Sequence, residues 1–404
     1  MNRQAVGVLT AGALLITLVP SAAAAQGHPG NRYGAERPGH PYGEGDLQRD
    51  VNAVRATGAT GVLAEVQTRR DAHVARAGVA DLKTRRPVPW NSYFRLGSDT
   101  KTYTATVALQ LVGEGRLRLT DTVEKWLPGM VGGNGNDGRR ITVMNLLRQT
   151  SGLNDYVTVD LDEDDLTPEA YRMNRFRVTT PHQQVAAAMT KAPAWLPDAA
   201  NPAAETRWGY SNTNYVLAGL IIEKATGNPW AQEIHDRVIE PLGLRHTMTP
   251  GTSAYVPQPS AAAYTRFPGR KELTDTSVTV GGGADGGIIA TTGDHGAFLR
   301  ALMSGRLLKP AQLAQMKQTV TTGDELFGRY GLGLAWRPAA GCDGGVWFHG
   351  GTSFGVVSES GVSADGRRAA SVAVSTLRFG DEQDAQDRAS LRLVDNAVCA
   401  PAPG

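Results

Sequence analysis

The sequence lacks most of the features that announce a partner or a cofactor. Its formal net charge is only +2, with 41 Lys and Arg against 39 Asp and Glu. That balance gives no argument for nucleic acid or an acidic membrane surface as a partner. No run reads as an RNA-binding motif, a zinc finger or a phosphate-cradling glycine loop, and there are no internal repeats. The eight histidines are scattered and never take the His-Glu-x-x-His spacing of a zinc hydrolase. No metal and no cofactor are expected. Cysteine is scarce too, with only Cys342 and Cys399. In an exported protein these can form one disulfide, tying a late strand to the C-terminal helix; two buried free thiols are the alternative.

What remains is an ordinary globular composition, 41% hydrophobic and 20% charged, in a chain long enough for one large domain or two of ordinary size. The segment MNRQAVGVLTAGALLITLVPSAAAAQG carries one charge at Arg3, an apolar run from Ala5 to Val19, and then small residues. This is the order of a secretory signal peptide, cleaved near Ala23 to Ala25. The run is too short to span a membrane comfortably. The expectation is a signal peptide over 1–25, a Gly/Pro/His-rich leader over 26–45, and a secreted, extracellular monomer with no membrane contact after cleavage.

Beyond the leader, DLQRDVNAVRATG has helical spacing. GVLAEVQT and AHVARAGVAD alternate as a strand pair, and SYFRLG is a short strand. From about 120 to 275 the pattern is helical, with Gly and Pro stops. Within it, the acidic stretch from Asp155 to Thr179 reads as surface loop. From about Gly282 short strands return, in YGLGLAW, GGVWFHGG, FGVVSESGV and RRAASVAVST, before a last helix. The expected class is α+β. A mainly antiparallel sheet flanked by helices is built from both chain ends, 46–119 and 276–404, with a helical insert over 120–275.

Three segments carry chemistry. In FRLGSDTKTYTATVALQLV, Ser98 and Lys101 stand three positions apart at the start of a helix bound for the core, so their side chains can meet. A lysine in a dry site loses its charge more readily and can take the serine proton. The free N–H groups of a helix start suit a developing oxyanion. Considered alone, Ser-x-x-Lys is equally an N-cap with a snorkelling lysine. In RWGYSNTNYVLAGLIIE, Tyr210 can relay a proton and Asn212 can donate its amide to a substrate carbonyl. In VWFHGGTSFG, a strand ends in His349, Gly350, Gly351 and Thr352. Its glycines permit another backbone to approach.

In this order and spacing the three segments resemble the serine β-lactamase and penicillin-binding protein superfamily. The Tyr-x-Asn form is similar to the class C branch, and the third-motif histidine to secreted D-alanyl-D-alanine carboxypeptidases. The resemblance covers about 46 to Cys399. It implies a β-lactamase/transpeptidase-like fold and Ser98 as the acylated nucleophile. Lys101 and Tyr210 become its proton-transfer partners, with the base undecided between them. Asn212 would hold the substrate amide, and His349 would complete the electrostatic network. The N–H groups of Ser98 and Thr352 would form the oxyanion hole beside Gly351. The implied activity is D-alanyl-D-alanine carboxypeptidase action on peptidoglycan stem peptides or other D-amino-acid peptides, with β-lactams as inhibitors. A D-aminopeptidase, D-amino-acid amidase or esterase, a class C-type β-lactamase, and a silent penicillin-sensing protein are the alternatives.

The departures weaken the carboxypeptidase specificity. Gly350 replaces a hydroxyl residue. The arginine expected after YGLGL to meet a terminal carboxylate is absent, leaving Arg337 two positions beyond Ala335 on the same strand face. VTVGGGADGG has glycines where an aromatic wall is expected. The rival Gly-x-Ser-x-Gly reading of GTSFG fails because a strand rather than a helix follows, and no histidine comes after His349.

Overall fold

The computed structural model describes residues 42–159 and 161–400. The expected signal peptide and all but the end of the expected leader lie outside these residues. Among the described residues the largest sheet has eight strands: β1 (Gly61–Gln67), β2 (Ala72–Gly78), β3 (Val320–Thr321), β4 (Arg329–Tyr330), β5 (Ala335–Arg337), β6 (Val346–Ser353), β7 (Val356–Ser363) and β8 (Ala369–Val374). Their order across the sheet is β2-β1-β8-β7-β6-β5-β4-β3, and every neighbouring pair is antiparallel. Strands from the two ends of the chain meet where Val62 pairs with Val374.

Period-two alternation gives the sheet two apolar faces. Val62, Phe348 and Val372 face the helices Glu44–Ala56 and Asp381–Cys399, which contribute Leu47, Val51 and Leu393. Trp347, Val362 and Ala373 pack into the second cluster with Tyr103, Phe298 and Leu302. Those partners come from the helices Thr100–Gly113 and Thr292–Met303. Burying a side chain of Val to Phe size contributes about 1.5–3 kcal/mol, so both faces are heavily committed.

The helix Thr100–Gly113 is buried on nearly every side from Thr100 to Leu109. A helix enclosed in this way holds its first turn rigidly. That first turn is a 3-10 segment, Gly97–Asp99. Two glycines let it dock on β6. Gly97 has φ +54, and a Cβ there would come within 2.7 Å of Thr352 O. A Cβ on Gly351 would lie 1.8 Å from Leu96 O. The close approach expected at the glycines of β6 is therefore made at Gly351 by the chain's own turn that carries Ser98. Beyond Phe348, β6 has no strand partner on its β5 side among the described residues.

The helical stretch between the chain ends includes Asn212–Thr226, Pro181–Ala188 and Trp230–Ile234. The stretch from Asp155 departs from the surface-loop expectation. It carries the helix Pro168–Asn174, and Tyr156 and Tyr171 are buried. Cys342 and Cys399 form a disulfide between the loop after β5 and the end of the last helix. Among the described residues no helix is long and apolar enough to cross a membrane.

Candidate active site

Ser98 is 2% exposed and Lys101 0%. Lys101 Nζ donates to Ser98 Oγ at 2.9 Å, to Asn212 Oδ1 at 2.7 Å and to the Asp285 carbonyl at 2.6 Å. The Tyr210 hydroxyl donates to the same Ser98 Oγ at 2.7 Å. Residues more than a hundred positions apart thus converge on one oxygen. Asn212 is held in orientation because its Nδ2 donates to Asp155 Oδ2 at 2.8 Å.

The geometry separates the two proton-transfer candidates. Burial lowers Lys101 to about 8, against the opposing pull of Asp285, Asp155 and Asp99. Burial raises the Tyr210 phenol well above its usual value. The Asn212 and Asp285 oxygens are fixed acceptors for two N–H bonds of the amine. The third position faces Ser98 and carries the lone pair when the lysine is neutral. Tyr210 keeps its proton and donates it.

His349 sits behind this group. Its Nδ1 donates to the Gly350 carbonyl at 2.6 Å, which makes Nε2 the acceptor for the Tyr330 hydroxyl at 3.0 Å. Burial pushes it down to about 4, so at neutral pH it adds no charge to the third strand.

The cleft at Ser98 includes Phe327, Gly350, Thr352, Glu359 and Asp387 in its lining. Gly351 lines it too, and Thr352 is half-buried there. Arg337 shares the face of Ala335, as alternation requires, but it is engaged elsewhere. Its guanidinium donates to Asp395 at 2.7 Å and lies over the Phe348 ring, 4.1 Å from the centroid. The structure therefore corrects the sequence expectation for Arg337: it is tied to the last helix and lies outside the cleft lining.

Three acidic residues take part to which the sequence reading gave no role: Asp155 and Asp285 lie outside the three motifs, and Asp99 lies inside the first, between Ser98 and Lys101. Asp285 lies in the glycine run where an aromatic wall was expected, and its carboxylate accepts the Tyr156 hydroxyl at 2.7 Å. Asp155 is pushed up to about 6 by burial, against hydrogen bonds from Val157 and Asn212. Asp99 accepts from Ser358 at 2.6 Å and Ser360 at 2.7 Å, and His295 Nε2 lies 3.2 Å from it. Burial opposes ionisation of Asp99, but His295 and these hydroxyls hold its carboxyl below the usual range. The two serine hydroxyls clamp the turn that carries Ser98 to β7, and His295 holds Asp99 from the helix Thr292–Met303. Acidic residues flanked by small ones, as in GADGG, were the available signal.

Comparison with known proteins agrees with this geometry. The beta-lactamase family model matches residues 47–396. Penicillin-binding protein 4 of Amycolatopsis lactamdurans is 30% identical over 210 residues, 52% of this chain and 50% of that protein. Penicillin-binding protein 4* of Bacillus subtilis is 31% identical over 172 residues, 42% of this chain and 33% of that protein. The chain thus spans half or less of the length of these curated relatives. A D-stereospecific amidohydrolase from Streptomyces sp. superposes with a TM-score of 0.77 at 38% identity, over 85% of this chain and 97% of that one. D-amino acid amidase from Ochrobactrum anthropi shares the fold, with a TM-score of 0.71 at 23% identity. With a buried Ser-Lys-Tyr cluster at the edge of an antiparallel sheet and a family match over most of its length, the chain belongs to the beta-lactamase family and is a serine hydrolase of the β-lactamase and penicillin-binding protein superfamily.

Proposed function

We propose that the protein hydrolyses D-amino-acid amides and peptides through an acyl-enzyme on Ser98, in preference to acting as a D-alanyl-D-alanine carboxypeptidase. One observation carries the mechanism: Ser98 Oγ lies within hydrogen-bond reach of both Lys101 Nζ and the Tyr210 hydroxyl. Neutral Lys101 takes the Ser98 proton as Oγ bonds to the substrate carbonyl carbon. The N–H groups of Ser98 and Thr352 would receive the oxyanion. As the C–N bond breaks, the proton passes through Lys101 and Tyr210 to the departing nitrogen. Water then attacks the ester, its proton returning to Ser98 by the same groups. Asn212 would hold the substrate amide, and the unpaired length of β6 would seat an extended substrate backbone.

The preference for amides rests on charge. A carboxypeptidase must neutralise a terminal carboxylate. Among the described residues lining the cleft none is Lys or Arg, and Arg337 is paired with Asp395. The likeness to the Streptomyces amidohydrolase supports the same reading. Export is part of the proposal, since a disulfide persists in oxidising compartments. β-Lactams, which present a strained amide, are expected to acylate Ser98. The test compares rates on a D-Ala-D-Ala peptide, a D-amino-acid amide and a cephalosporin. Fastest turnover of the amide supports the proposal, and fastest turnover of the D-Ala-D-Ala peptide overturns it.

A further inference from the structure

We propose that Glu359 and Asp387 form a cation-binding subsite for the leaving group, receiving an ammonium carried by the amine that departs when Ser98 is acylated. The inference rests on the amide-hydrolase reading above and adds a substrate class to it: D-amino-acid amides and peptides with a cationic leaving group.

The cleft containing Ser98 is also lined by Phe327, Gly350, Glu359 on β7 and Asp387 on the last helix. Gly350 and Glu359 are direct cross-strand partners. A Cβ on residue 350 would meet the Glu359 carboxyl at 2.9–3.1 Å. The glycine that replaces a hydroxyl residue in the third motif is therefore what leaves this carboxyl open to the cleft.

Glu359 is 6% exposed. Among the described residues, no hydrogen bond or ion pair reaches its carboxyl. Arg337, the basic side chain that acts on it, is taken by Asp395. Asp387 accepts an amide N–H from Gln383 at 2.6 Å. Two carboxyls face one cleft, one of them without a partner, at a cost that an incoming ammonium offsets. Burial, and Asp387 beside it, raise the Glu359 carboxyl well above its ordinary range. An ammonium between the two reverses that effect by favouring both charged forms.

The side of the cleft follows from proton traffic. The leaving nitrogen must receive the Ser98 proton, so it departs on the side of Tyr210 and Lys101. The Tyr210 ring stacks on Phe327, with centroids 5.5 Å apart and 20° between planes, and Phe327 lines the cleft together with both acids. Phe327 thus connects the Tyr210 side of Ser98 to the acid pair, and in this proposal the departing amine leaves that way.

The test compares the N-(4-aminobutyl) amide of D-alanine with its N-pentyl amide, which has nearly the same shape and no terminal charge. The ratio of kcat/KM, cationic over neutral, is expected to exceed about ten in the unaltered enzyme. Glu359→Gln and Asp387→Asn each bring it down about tenfold, and Gly350→Thr lowers it by covering the carboxyl. Both amides carry the same α-ammonium. Equal losses on the two in Glu359→Gln would assign the acids to that group and overturn the proposal, as would an unaltered ratio near one. If neither amide is cleaved while benzylpenicillin still acylates Ser98, the amidase reading fails separately. The subsite is then read from competition: pentylammonium must slow acylation of the unaltered enzyme more than of Glu359→Gln, and equal effects reject it.

Discussion

Raising the pH from 5 to 10 titrates Lys101 in place, and the acylation rate should follow it. The amine must be neutral to accept the Ser98 proton. With a pKa of about 8, roughly 9% of the enzyme is competent at pH 7, whereas an ordinary lysine at 10.5 would leave roughly 0.03%. Burial therefore raises the competent fraction about 300-fold. The sign is fixed: the rate climbs with pH and levels off above about 8. Acylation by benzylpenicillin, followed by quenching and intact-protein mass, suits the measurement because that reagent does not titrate in this range. Asp155→Asn supplies the control. The Asp155 charge raises the Lys101 pKa, so its removal must move the limb to lower pH. A rate flat from pH 6 to 10, or a limb that moves upward in Asp155→Asn, would refute Lys101 as the base.

Other outcomes can be measured independently. Lys101→Ala and Tyr210→Phe should each slow acylation by about two to four orders of magnitude with the thermal midpoint little changed; near-normal rates in both would remove their assigned roles. Gly351→Ala should abolish acylation and destabilise the fold by several kcal/mol, of order 3, because its Cβ would strike the Leu96 carbonyl; scanning calorimetry reads the second effect. Asp99→Asn should cost about 3–5 kcal/mol, since it leaves the buried clamp with His295 and Ser360 uncompensated; denaturant midpoints decide it. Replacing Cys342 and Cys399 by Ser should lower stability by about 4 kcal/mol on the chain-entropy account, given their separation of 57 residues.

Local patterns carried much of the architecture. Alternation marked β1, β2 and the late strands, and helical spacing marked Asn212–Thr226 and the last helix. Both follow from which face of an element must be dry, and that is a short-range property of the chain. The Ser98–Lys101 pair was legible for the same reason, since three-residue spacing at a helix start brings two side chains together in any fold. Tyr210 and Asn212 stood out only through the resemblance they completed.

Charge environments were a different matter. Whether Lys101 or Tyr210 acts as the base depends on burial and on Asn212, Asp155 and Asp285, which come from separate segments. Ala335, Trp336 and Arg337 alternate in a way that places Arg337 on a known face, yet only the last helix decides that Asp395 takes its guanidinium. Gly350 read as a lost hydroxyl until its cross-strand partner proved to be Glu359. By itself the sequence determined most of the strands and helices, though not the helix Pro168–Asn174, and which two side chains share the turn at Ser98, because those depend on neighbours within a few residues. The tertiary structure alone decided the protonation, the pairing of charges and the polarity of the cleft, because electrostatic energies in a dry interior depend on groups brought together from hundreds of residues apart.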